Sequence, residues 1–104
     1  MSTTELENTQ VHIIATLKAI AGEESRLAEM LSVLVSASRA EPGCIHYVLH
    51  VDTEHSGTFV IYEAWSSQAA LDEHTTTAHF LSFVSAAESL CSEPTHLQTL
   101  KLIR

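Results

Sequence analysis

Residues 59–65, Phe59-Val60-Ile61-Tyr62-Glu63-Ala64-Trp65, read as a β-strand with no hydrophilic face, and nothing else in the chain constrains its fold as much. Period-two alternation sets Phe59, Ile61 and Trp65 on one side and Val60, Tyr62 and Ala64 on the other. A strand apolar on both sides has to be covered on both sides. A chain of 104 residues builds one core and one covering layer of helices. The second face therefore needs a partner, and two sheets packed face to face in a homodimer would supply it.

The segments around this strand supply the rest of the sheet. Val11, Ile13, Ala15 and Leu17 alternate along a first strand at residues 11–18, after a polar tail at residues 1–10. Leu27, Met30, Leu31, Leu34 and Val35 then follow the spacing of one buried helical face, which predicts a helix over residues 23–38. Its acidic start and Arg39 at its end suit the helix dipole. Glu41-Pro42-Gly43-Cys44 reads as a type II turn, with Pro42 presetting φ and Gly43 taking a positive φ. Ile45, Tyr47, Leu49 and Val51 alternate in the next strand, and the short connection through Gly57 makes a hairpin with residues 59–65.

Ser66 or Ser67 can cap a short helix over residues 68–74, and Thr77 a second one with Phe80, Phe83, Val84, Ala87 and Leu90 on one face. Pro94 ends it, and residues 95–103 read as a last strand. The order β-α-β-β-α-β predicts an α+β, ferredoxin-like domain over residues 11–104. Its antiparallel sheet should run 4-1-3-2, with the helices on one face.

Charge and composition narrow the partners. Thirteen acidic residues against five basic ones oppose binding to nucleic acid or an anionic membrane. The first ten residues resemble neither a signal peptide nor a membrane anchor, so we expect a cytoplasmic protein. Cys44 and Cys91 lack the spacing of a metal knuckle or redox pair and are expected as packed free thiols. Seven histidines raise the question of a metal. His46 and His50 share a strand face but stand about 13 Å apart, too far for one zinc ion, and no metal site is expected.

Glu63 is the most informative ionisable residue, because a carboxylate between Tyr62 and Ala64 in an apolar strand must be paired, desolvated or functional. Its structural role would be to fix the strand against the helices. His74 and His79 fall where the two short helices meet, just after the strand of Glu63 and Trp65. Histidine exchanges protons near neutral pH, although a histidine at a helix end can also serve as a cap. Trp65, Tyr47 and Phe80 offer flat walls for an aromatic ligand, whereas Phe83 fits the helical stripe as core. Tyr62 belongs to the opposite face and the dimer interface.

Glu41-Pro42-Gly43-Cys44 with Tyr47, then Glu63-x-Trp65, Ala70-Leu71-x-x-His74 and His79-Phe80 together resemble the antibiotic biosynthesis monooxygenase family. The resemblance implies a dimeric α+β barrel of ferredoxin-like protomers that oxygenates aromatic polyketides or quinols without metal or flavin. A haem-degrading branch carries Asn on strand one, where this chain has Thr16, and another branch isomerises a phosphorylated signal. On this footing the expected partners are a small aromatic substrate and O₂, with no cofactor. His79, ahead of His74, would be the base, Glu63 would orient or help ionise it, and Trp65, Tyr47 and Phe80 would hold the ring. The alternatives are an isomerase of the same family and a non-catalytic, ligand-binding stress-response dimer.

Overall fold

The β-branched alternation near the start forms strand β1, Val11–Lys18, in a computed structural model that describes residues 9–104. The polar tail, apart from Thr9 and Gln10, lies outside the described residues. Ile13, Ala15 and Leu17 are buried on one side of β1. Helix α1, Glu24–Arg39, buries Leu27, Leu31, Leu34 and Val35 of the face its spacing predicted, while Met30 of that face is half-buried. Gly22 precedes it at φ 94°, a left-handed conformation that favours glycine. The end of α1 is tied down where Arg39 Nε donates to the Tyr47 carbonyl at 2.9 Å.

The turn at 41–44 forms, with the Cys44 amide donating to the Glu41 carbonyl at 3.1 Å, but it is not type II. Gly43 does not have a positive φ. Its glycine is required by packing instead, since a Cβ there would overlap the Cβ of Ala70. Strand β2, Cys44–Val51, follows and pairs antiparallel with β3, Thr58–Trp65. The expected inward alternation fails at its start. A bulge lets two β2 residues oppose one of β3 between Cys44 and His46, so Ile45 turns out to 40% exposure while Cys44 packs on the core. Past the bulge Tyr47 is buried opposite Glu63 and Leu49 packs partly buried against the core, but Val51 at the strand end, also expected inward, is 53% exposed.

Helix α2, Gln68–His74, starts where Ser67 Oγ accepts from the Ala70 amide at 3.1 Å. Helix α3, Ala78–Ala87, starts at Thr77, whose Oγ1 accepts from the Phe80 amide at 3.3 Å. Strand β4, His96–Leu100, is shorter than residues 95–103 and exposed throughout. Among the described residues it is an edge strand hydrogen-bonded only to β1. The sheet order is β2-β3-β1-β4 with antiparallel neighbours, the expected 4-1-3-2 arrangement.

Leu27, Leu31, Leu34 and Val35 of α1 pack on Ala15, Leu17, Ile61 and Trp65 to form the core. On the other sheet face Tyr62 lies between the rings of His12 and His46 and pairs with His12 Nδ1 at 2.8 Å. No helix among the described residues is long and apolar enough to cross a membrane.

Candidate active site

Strand β3 ends by placing Glu63 and Trp65 on the helix side, both buried. The Trp65 indole Nε1–H donates to Glu63 Oε1 at 2.9 Å. Burial raises the Glu63 pKa above the ordinary carboxylate range, and the Glu41 charge adds to this, against the opposing effect of the indole hydrogen bond. Tyr47 lies opposite Glu63 in the β2–β3 register. Burial first, and the Glu63 charge next, hold its hydroxyl protonated far above the usual tyrosine range.

His74, the last residue of α2, is 1% exposed and enclosed by aromatic rings. Its ring centre lies 4.5 Å from Trp65, 4.9 Å from Phe80 and 5.6 Å from Tyr47. Its Nδ1 is 2.7 Å from Glu41 Oε2, and His79 Nε2 from the first turn of α3 reaches the same oxygen at 2.7 Å. An ionised carboxylate only accepts, so both histidines donate. This assigns His74 the tautomer with a proton on Nδ1 and a lone pair on Nε2. That Nε2 is buried and without a partner among the described residues. Burial lowers the pKa of His74, and the hydrogen bond and charge of Glu41 partly restore it.

Beside these groups is a cavity of about 270 Å³ between sheet and helices, lined mainly by apolar side chains together with Tyr47, Glu63, His74 and Phe80. It is slightly smaller than the range of about 300–1,000 Å³ usual for small-molecule pockets. Phe83, expected as core, also lines it. Two residues expected at the site do not line the cavity. Trp65 is wholly buried behind His74, and His79 lines a separate hollow with Met30, Val33 and Leu34.

Glu63 does not touch either histidine through a hydrogen bond; its partner is Trp65. The carboxylate that orients the histidines is Glu41, which the sequence placed in a turn and in the family motif but not among the site residues. Its separation of 33 residues from His74 and 38 from His79 hid the cluster from any spacing argument. The only local signal was an acid placed directly before the Pro-Gly turn.

Residues 10–86 match the profile of the antibiotic biosynthesis monooxygenase family. A Bacillus subtilis protein, YcnE, provisionally named a monooxygenase, is 42% identical over 71 residues, which cover 68% of this chain and 74% of that protein. An uncharacterised Synechocystis protein is 28% identical over 90 residues, 86% of this chain. The match covers 61% of that relative, so this chain spans less than two thirds of its length. The crystal structure of a Pseudomonas aeruginosa protein superposes with a TM-score of 0.88 at 38% identity, covering 92% of this chain and 96% of that one.

Proposed function

Because the chain belongs to the antibiotic biosynthesis monooxygenase family, we propose that it oxygenates a small phenolic or quinol-like molecule directly with O₂, without metal or flavin. The observation that carries this reading is His74. It sits in the wall of an apolar cavity, its tautomer is set by Glu41, and its Nε2 lone pair has no partner among the described residues. A buried acceptor left unsatisfied is expensive, by about 1–3 kcal/mol, and a substrate hydroxyl would satisfy it.

In this mechanism the hydroxyl approaches past the half-buried Phe80 and gives its proton to His74 Nε2. Glu41 stabilises the imidazolium that forms, as a carboxylate does for a catalytic histidine. The phenolate transfers one electron to O₂, and the resulting radical and superoxide combine through a new C–O bond. Cleavage of the O–O bond leaves one oxygen on the ring as a carbonyl or hydroxyl, and the other departs as water. A quinol and O₂ then give a hydroxyquinone and H₂O, with all four electrons drawn from the substrate. The proton held by His74 returns to the departing oxygen, and Glu63 serves the cavity as a second proton carrier. The apolar walls exclude water from the charged intermediates.

His74 thus takes the role that the sequence reading gave to His79, because His79 lies outside the cavity lining. Tyr47 and Phe80 hold the ring, and Trp65 supports His74 from behind. Among the described residues no Lys or Arg lines the cavity, which disfavours isomerisation of a phosphorylated substrate. A second copy of the chain would cover the outer sheet face, where Ile14, Val60 and Tyr62 are half-buried. Two free cysteines suit the reducing cytoplasm.

Oxygen uptake with a panel of hydroquinones and naphthoquinols tests the proposal. Turnover should appear with at least one quinol and fall by about 10² to 10⁴ in His74→Ala, the usual effect of losing a general base. A quinol turned over equally by wild type and His74→Ala would refute the assignment.

A further inference from the structure

We infer that Glu41, His74 and His79 form a binding site for one divalent transition-metal ion, best matched by zinc, whose occupation disables His74 as a base. A carboxylate oxygen, His74 Nδ1 and His79 Nε2 lie within 4.8 Å of one another. Two imidazoles and one carboxylate, with a fourth position left for water, are a ligand set that zinc uses in open sites. Bonds of about 2.0–2.2 Å in tetrahedral geometry separate neighbouring ligand atoms by roughly 3.3 Å. The two nitrogens now stand 2.7 Å from Glu41 Oε2. Each nitrogen–oxygen contact therefore has to open by about half an ångström, and the two nitrogens, which lie within 4.8 Å of each other, have to settle at the same spacing.

The site is held in shape before any ion arrives. Glu41 belongs to the hydrogen-bonded turn before β2, His74 is packed on Trp65, and Thr77 caps the helix that carries His79. Such preorganisation lowers the entropic penalty of binding. The His79 side chain is 26% exposed and opens a route from solvent, whereas that of His74 is 1% exposed. A formal charge of -8 draws cations towards the surface.

An ion at this position replaces the two N–H donors that Glu41 now receives. Neutral His74 can bind it through Nδ1 only by carrying its proton on Nε2. The atom beside the cavity then changes from acceptor to donor and cannot take a substrate proton. This consequence rests on the function proposed for His74; the binding itself does not.

Chelator-competition titration of the full, EDTA-treated chain with Zn²⁺ reads the binding directly. One ion per chain is expected, with affinity reduced at least tenfold in both His79→Ala and Glu41→Gln, and thermal unfolding confirms that each variant is folded. Co²⁺ should give the visible absorption of a four-coordinate ion, lost in His79→Ala, a substitution at a partly exposed residue outside the buried core. Binding that survives in His79→Ala and disappears in His46→Ala, or no binding to wild type at all, would overturn the site. Zinc should also suppress oxygen uptake by wild type. Uptake that persists with the site filled would overturn the block on His74 and leave the binding result standing.

Discussion

Replacing Glu63 by Gln should stabilise the protein at neutral pH. Glu63 is 6% exposed, and its one hydrogen bond among the described side chains is the indole N–H of Trp65. Burial is the leading cause that raises its pKa above the ordinary value of 4.5. An acid whose pKa is raised on folding favours the folded state fully below its unfolded pKa. That contribution is lost as pH climbs through the folded value, where the buried group must ionise. Each unit of elevation corresponds to about 1.4 kcal/mol against the folded state once both values are passed.

Gln has nearly the same shape and carries no charge, and its Oε1 can accept from Trp65. Glu63→Gln should therefore exceed wild type by about 1.4 kcal/mol per unit of elevation above the folded pKa, and by nothing well below pH 4.5. For a chain of this length, each kcal/mol shifts the Tm by roughly 4–8 °C. Circular-dichroism melts from pH 3.5 to 8 would show the two Tm curves converging at the acid end. A variant less stable than wild type at every pH would show that the charge of Glu63 is compensated and structural, and the reasoning from desolvation would fail.

Gly43→Ala should destabilise by about 1–3 kcal/mol in urea unfolding, because its Cβ meets that of Ala70. Adding Ala70→Gly should recover part of the loss, and equal stability of Gly43→Ala and wild type would remove the packing role. Trp65→Phe deletes the one N–H that Glu63 accepts from a side chain, so a pH–rate limb set by Glu63 should move to higher pH, and an unmoved limb would separate Glu63 from the reaction. Sedimentation at micromolar concentration should give twice the chain mass for wild type and a monomer for Val60→Asp on the outer sheet face. A wild-type monomer would end the dimer reading.

Those features that depend on neighbours along the chain were legible in the sequence. The stripe of Leu27, Leu31, Leu34 and Val35, the caps at Ser67 and Thr77 and the burial of Glu63 all follow from period, capping chemistry and local apolar context. Element order then limited the sheet to one arrangement. The docking of α2 against the turn at 41–44 was decided only by the tertiary structure. That contact explains why residue 43 is glycine, and it brings Glu41 to His74 and His79. The same packing puts Trp65 behind His74 and leaves His79 outside the cavity. The bulge that expels Ile45 was also invisible, since alternation gives no sign of an extra residue. Periodicity reports which side of an element is apolar, whereas the site depends on how far apart two elements settle, a distance fixed by side chains more than thirty residues apart in the chain.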